Sequence, residues 1–415
     1  MEVCGDVFDV IIVGAGIMGS CAAYEAAKRG HKVLLLEQFD FLHHLGSSHG
    51  ESRTIRATYP EDYYASMVLE SYRLWEEAQS EIGYRVLTRT SHFDMGPAAN
   101  KSLQCVIANC EPNSINARIL DRSQLHDMFS GAIQLPEQWI GVVTDVGGVI
   151  KPTKAVAMFQ ALAIRRGAIL RDHAEVKDIM RRDEAGGGIW VSTADGERFR
   201  GRKCVLTVGA WMKKLVQAVS GPVLPIQPLH TTICYWKIKK GYEDEFSPEA
   251  GFPTFASYGE PYIYGTPSME FPGLIKIAMH GGPLCDPDRR DWESGSDVLV
   301  DSVVPWIEQV LRGRVEAAGG PVMTQACMYS MTPDGDFIID FLGREFGKDV
   351  VVAGGFSGHG FKMGPVVGRI LAEMAIDGEV AGFELKHFRL GRFEEDPKGN
   401  AKEFEDQVSS HHVNP

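Results

Sequence analysis

Residues 8 to 37 constrain the fold more than any other stretch. Phe8-Asp-Val-Ile-Ile-Val13 is a β-branched run of the kind that forms a strand buried on both faces, and Gly14-Ala-Gly16-Ile-Met-Gly19 follows at once. An apolar, alanine-rich stretch continues to Lys28 and stops at Gly30, and a second strand, Lys32 to Leu36, ends in Glu37. This order has a mechanism. Gly14 permits the tight turn, Gly16 lets backbone approach a pyrophosphate, and Gly19 lets the helix pack on the sheet. The helix N-terminus offers N–H groups and a partial positive charge, and Glu37 can accept from ribose hydroxyls. The segment therefore predicts a Rossmann-like unit holding an adenine dinucleotide, with a structural glycine turn as the competing reading.

Two later stretches extend the sheet. Lys203-Cys-Val-Leu-Thr-Val-Gly-Ala-Trp211 ends in a glycine turn, as does Asp349-Val-Val-Val-Ala-Gly-Gly355. The second is not a further nucleotide unit, because Val366 to Ile376 reads as one amphipathic helix and no acid-bearing strand follows. Turns near 14, 209 and 355 predict one parallel sheet assembled from distant parts of the chain. Between them lie Pro-punctuated, aromatic alternating runs such as Thr231-Thr-Ile-Cys-Tyr-Trp-Lys-Ile238, the pattern of antiparallel strands. The expected architecture is α/β, with a discontinuous cofactor domain (1–90, 148–222 and 327–400) interleaved with an antiparallel-sheet substrate domain (91–147 and 223–326) and a loose polar tail (401–415). A chain of 415 residues is long enough for two cores.

Charge narrows the partners. Lys plus Arg total 42 against 55 Asp plus Glu, a net of −13, which opposes binding to nucleic acid or an anionic membrane and favours a small molecule. The eight cysteines show no CxxC or CxxH spacing, so neither a metal site nor dithiol chemistry is expected. No apolar run approaches the ~20 residues of a membrane span. An intracellular protein is expected, cytoplasmic or peroxisomal, although His412-Val-Asn-Pro415 is not a Ser-Lys-Leu address.

Four constellations carry candidate chemistry. Arg53 and Arg56 stand three apart, on one face if helical, either as solvated arginines or as a cationic wall for a carboxylate or a flavin. In Leu274-Ile-Lys276-Ile-Ala-Met-His280, period two places Lys276 and His280 on one strand face, turned to water or into a pocket. Lys362 lies close to the expected start of the last helix, where a cation is electrostatically disfavoured unless an anion sits between them. Cys327, read locally, is a small buried hydrophobe.

Taken together, these stretches resemble the monomeric sarcosine oxidase and pipecolate oxidase family of flavoproteins, and its plant members most. The resemblance rests on Cys327-Met-Tyr-Ser-Met-Thr-Pro-Asp334, Gly46-Ser-Ser-His-Gly-Glu-Ser-Arg53, Tyr264-Gly-Thr-Pro-Ser268, Leu274-Ile-Lys276-Ile with His280, and Gly355-Phe-Ser-Gly-His-Gly-Phe-Lys362. It covers nearly the whole chain. It implies FAD joined through its 8α carbon to Cys327, with Ser48, Gly355 and Gly360 as further cofactor-binding positions. Arg53 and Lys276 are implied on opposite faces of the flavin ring, Lys276 activating oxygen, and Arg56 and Lys362 as a grip on the substrate carboxylate. His49, Tyr264, His280 and Tyr329 are implied to line the cavity, His280 and Tyr264 beside the chemistry, with the backbone of Gly358 facing the amine. Ser48 replaces a histidine common in bacterial members, which touches pocket shape. The implied activity is oxidation of the secondary amine of a small N-methyl or cyclic amino acid by a monomeric enzyme, giving an imine and hydrogen peroxide. A flavin amine dehydrogenase, or an oxidase of a bulkier cyclic amine in specialised metabolism, is the alternative.

Overall fold

In the computed structural model, which describes residues 7–182, 187–220, 223–289, 297–402 and 404, the strand Val7–Val13 lies inside an eight-stranded sheet. Its neighbours are Arg198–Leu206 on one side and Val33–Leu36 on the other, both parallel. Val350–Gly354 adds in parallel beyond Arg198–Leu206, Ile169–Arg171 adds beyond Val33–Leu36, and Ile338–Phe341 closes one edge antiparallel. Val10, Ile11, Ile12 and Val13 are all buried, as a strand covered on both faces requires. The three glycine turns thus meet at the C-terminal ends of adjacent parallel strands, where α/β sheets bind their ligands.

Two helices cross closely over this sheet. Ile17–Lys28 packs on Gly364–Ile376, and glycine makes the approach possible. A Cβ on Gly368 would stand 2.4 Å from Cys21 Cβ, and one on Gly364 would stand 2.6 Å from Ile17 Cγ1. The expected amphipathic pattern of the last helix is not what forms. All its residues except Arg369 and Ile376 are buried, because Ile17–Lys28 and Asp62–Ile82 both cover it.

The second sheet has nine strands, with the path Met323–Met331, Gln227–Lys237, Leu274–Met279, Ile263–Thr266, Thr254–Ser257, Leu87–Pro97, Trp139–Ile150 and Arg53–Arg56. Pairing along it is antiparallel except between Thr254–Ser257 and Leu87–Pro97. Residues 53–56 and 327–331, expected with the cofactor part, run instead as the two end strands of this sheet. A flat path of this kind would separate its ends by roughly 33 Å at ordinary strand spacing. Yet Arg53 Nη2 reaches Cys327 Sγ at 3.3 Å, so the sheet curls until its end strands face each other across a cavity. Arg53–Arg56 is a strand and not a helix turn because it pairs with Gly147–Ile150, far along the chain.

Among the described residues, no helix is long and apolar enough to cross a membrane. The described cysteines are free thiols. Of the expected loose tail, Lys402 and Phe404 lie against the body of the protein, and 403 and 405–415 lie outside the described residues.

Candidate active site

The first strand turns sharply at Gly14, whose φ of +97° suits glycine, and its N–H donates to Leu36 O at 2.7 Å. A Cβ there would stand 2.7 Å from Thr207 O, and a Cβ on Gly19 would stand 1.9 Å from Gly14 O. The turn, the helix and the end of the strand Arg198–Leu206 are therefore pressed together at their backbones. Gly16 opens the helix, and Ile17 N–H donates to Ser48 Oγ at 3.1 Å. Glu37 is buried, accepts from Ala15 N–H at 2.8 Å and Phe39 N–H at 3.2 Å, and keeps lone pairs on both oxygens for a further donor. Gly14, Ala15, Gly16, Glu37 and Ser48 line a cavity of about 340 Å³ that also touches Val176, Thr207, Val208 and Trp211.

A second cavity of about 230 Å³ shares Gly16, Ser47, Ser48, Thr207 and Gly209 with the first, so the two form one elongated space. Cys327 lines it. Arg53 spans the same region, donating to Ser47 O at 3.1 Å, Ser52 O at 2.8 Å and His49 O at 2.9 Å, besides Cys327 Sγ. Lys276 is buried in the wall and donates to Ser52 O at 3.0 Å and Ser52 Oγ at 3.1 Å. Burial, and then the neighbouring Arg53 charge, pull its ammonium down to about 7. Thr231 Oγ1 and Ser330 Oγ, on residues lining this cavity, are buried without a protein hydrogen-bond partner, a costly state unless a bound group completes them. A glycine cradle, an open helix N-terminus, one elongated space and unpartnered hydroxyls together fit an adenine dinucleotide carrying a polar ring system.

Farther along, Arg56 and Lys362 enter the same cavity. Arg56 donates to Thr58 O and to Tyr262 OH at 3.3 Å, lies 4.8 Å from the Tyr59 ring centroid and stands 4.0 Å from Asp94. Burial works against its charge, but Tyr258, Tyr262 and Asp94 more than offset that. Lys362 is buried and donates to Tyr59 OH at 2.7 Å and His359 O at 2.8 Å. Burial and then Arg56 hold its ammonium well below the usual lysine range, a shift that an incoming anion would oppose. Lys362 sits in the turn Phe361–Met363, just ahead of the helix Gly364–Ile376.

Tyr329 donates to Tyr264 OH at 3.4 Å, and the His280 ring lies 5.0 Å from that of Tyr329. Gly358, at φ +76°, lets backbone pass where a Cβ would stand 2.6 Å from His280. Burial pushes the Tyr264 and Tyr329 hydroxyls above the usual range, so both remain protonated donors. The strand face of Lys276 and His280 is thus turned into the pocket.

Two expected positions lie elsewhere. His49 lines neither cavity: its carbonyl holds Arg53, and its ring packs by His44 and Gln325. Gly355 stands behind the wall, where its φ of +61° and a Cβ position 2.3 Å from Thr332 Cγ2 demand glycine, while Gly360 lines the cavity. Tyr59, Tyr262, Lys402 and Phe404, which also line it, were not anticipated. The Tyr262-Ile-Tyr264 alternation was a readable signal for Tyr262, since residues two apart share a strand face.

Residues 9–374 match the family described as DAO, FAD dependent oxidoreductase. The chain is 62% identical over 403 residues to a probable sarcosine oxidase of Arabidopsis thaliana, covering 97% of this chain and 96% of that protein. It is 32% identical over 394 residues to a monomeric sarcosine oxidase of Bacillus sp. strain B-0618, covering 93% and 96%. Among solved structures, the open form of NikD, an unusual amino acid oxidase essential for nikkomycin biosynthesis, superposes with a TM-score of 0.78 at 23% identity, covering 92% of this chain and 96% of that one. That last likeness concerns the fold.

The depressed Lys276 gives a pH signature. Between about 7 and the ordinary lysine value, the unfolded chain holds a proton that the folded chain lacks, so this group adds stability as pH rises through that window. Urea unfolding of the flavin-free wild type and of Lys276→Met should therefore show a stability difference, wild type minus variant, that grows from pH 7 to 10. A difference that is flat or shrinks would show that Lys276 is not buried as an uncompensated cation.

Proposed function

Since the chain belongs to the FAD-dependent oxidoreductases of the DAO family, in the group that contains the sarcosine oxidases, we propose that its substrate is the secondary amine of a small N-methyl or cyclic amino acid, with oxygen as electron acceptor. The observation that carries this reading is the pair Arg56 and Lys362. Two basic side chains are sunk into one aromatic-walled cavity, in line with the space suited to the cofactor. FAD supplies the redox chemistry when bound, taking a hydride equivalent from the carbon beside nitrogen and passing the electrons to oxygen to give hydrogen peroxide.

The residues of the chain then divide the work. Arg56 and Lys362 grip the carboxylate and so fix which end of the substrate faces inward. Tyr264, Tyr329 and His280 enclose the amine and exclude water, and the Gly358 backbone lies near it. No side chain is assigned as general base, and the neutral amine reacts directly. Lys276 holds a cation where oxygen acquires negative charge, a preorganised contact of the kind that lowers such barriers. Ser48, Gly14, Gly16, Glu37 and Gly360 hold the dinucleotide, with Gly19 and Gly355 supporting them. Cys327 is the covalent tether, its sulfur within reach of Arg53. The first sheet serves as the cofactor half and the curled second sheet as the substrate chamber. A monomer is supported by the designation of the Bacillus relative. Rapid peroxide formation in air distinguishes this reading from a dehydrogenase that uses a protein carrier.

The tether is tested by acid precipitation. The wild-type pellet should stay yellow and fluorescent, and Cys327→Ser should lose its flavin to the supernatant or purify without it. A colourless wild-type pellet overturns the tether.

The clamp is tested by selectivity. Arg56→Gln and Lys362→Gln should each weaken amino acid binding by on the order of 2 to 4 kcal/mol while the flavin spectrum stays nearly unchanged. Each should also lose its preference for the amino acid over the matching amine without a carboxylate, measured by anaerobic flavin bleaching. Full retention of that preference in both variants would place the carboxylate elsewhere.

A further inference from the structure

The end of the described chain is tied down more firmly than a polar terminus needs to be. Arg392 donates to both carboxylate oxygens of Asp334, at 2.7 and 3.1 Å, and to Asp336 O at 3.0 Å. Asn400 donates from its backbone to Asp334 at 2.9 Å and from its side chain to Asp336 at 2.8 Å. Asp336 is fully buried and also accepts from the Tyr63 and Tyr64 hydroxyls at 2.8 and 3.0 Å. Lys402 then bridges two carboxylates, Glu61 at 2.7 Å and Asp336 at 3.4 Å.

These anchors belong to the chamber. Asp334 and Asp336 follow the strand that carries Cys327 and Tyr329, and Glu61 follows the strand that carries Arg56. The cavity that holds Arg56, Tyr59 and Lys362 is also lined by Glu61, Lys402 and Phe404. The Lys402 ammonium stands 5.7 Å from the Phe404 ring centroid, joining the ring to the pinned segment.

We propose that Lys402 and Phe404 form the outer wall of the substrate chamber and set the size of the substituent it admits. The proposal rests on the amino acid oxidase reading and adds a specificity element to it. Lys402 offsets Glu61, which lines the cavity and would otherwise present negative charge to an anionic substrate, and is held there by the buried Asp336. Phe404 closes the wall with one large apolar ring. A wall fixed by a buried Arg392–Asp334 pair holds a constant dimension, as size discrimination requires.

The test uses the holoenzyme and two readouts. In Phe404→Ala, the ratio of kcat/KM for N-methylphenylalanine to that for N-methylglycine should rise about tenfold or more, the scale of enlarging an apolar pocket. The ratio of Kd for 3-phenylpropionate to Kd for acetate, read from perturbation of flavin absorbance, should fall by a similar factor. Lys402→Ala, which frees the segment, should move both ratios in the same direction. If both stay within about twofold of wild type in Phe404→Ala and Lys402→Ala, the wall is elsewhere and the proposal fails. If the wild type oxidises no N-methyl or cyclic amino acid but the carboxylate ratio still moves, the functional reading fails and the wall stands.

Discussion

A basic side chain buried away from water costs several kcal/mol unless something pairs with it, and this protein buries two lysines, Lys276 and Lys362, around one chamber. Lys276 lies beside Arg53, and Lys362 lies beside Arg56, in a chain whose net charge is −13. The nearby acids favour the Arg56 charge but do not restore the two lysines. Asp94 stands 4.0 Å from Arg56 and is itself hydrogen-bonded to His92 at 3.1 Å, while Glu61 and Asp336 are paired with Lys402. Burial disfavours the charged ammonium, and both lysines are shifted in that direction. On the proposed function, an anionic substrate offsets this cost at one end of the chamber and a reducible acceptor at the other.

Holding such groups in place explains the architecture around them. The second sheet curls so that its end strands, Arg53–Arg56 and Met323–Met331, face each other across the chamber. Glycines permit the close approaches on which this depends. A Cβ on Gly147, paired with Arg56, would stand 2.7 Å from the Ser91 carbonyl, and one on Gly265 would stand 2.5 Å from Lys276 O. The parallel sheet beneath brings its glycine turns to the same end, so a ligand lying along them runs from Glu37 to Cys327 through a shared opening at Gly16 and Ser48.

The dinucleotide end was legible because its signal is local: turn, helix and acid follow one another within 30 residues, each with its own reason. The parallel order of Val7–Val13, Arg198–Leu206 and Val350–Gly354 was also readable from the repeated strand-to-glycine pattern. Arg53 and Arg56 were legible as residues but not as a strand, because a four-residue segment takes its conformation from a partner some ninety residues away. The motif that singled out His49 could not show that its carbonyl, and not its ring, reaches Arg53. Lys402 and Phe404 carried no signal, since Lys402 is placed by contacts with Glu61 and Asp336 that no spacing encodes, and Phe404 lies beside it.

In the proposed function the two ends of the chamber serve two half-reactions, and anaerobic stopped-flow spectroscopy separates them. Arg56→Gln should slow reduction of the flavin by the amino acid and leave reoxidation by oxygen close to wild type. Lys276→Met should do the reverse, slowing reoxidation by about 100-fold, the scale of losing one preorganised charge contact, while reduction suffers less. If Lys276→Met instead abolishes reduction and leaves reoxidation untouched, the division of the buried cations between substrate and oxygen is wrong.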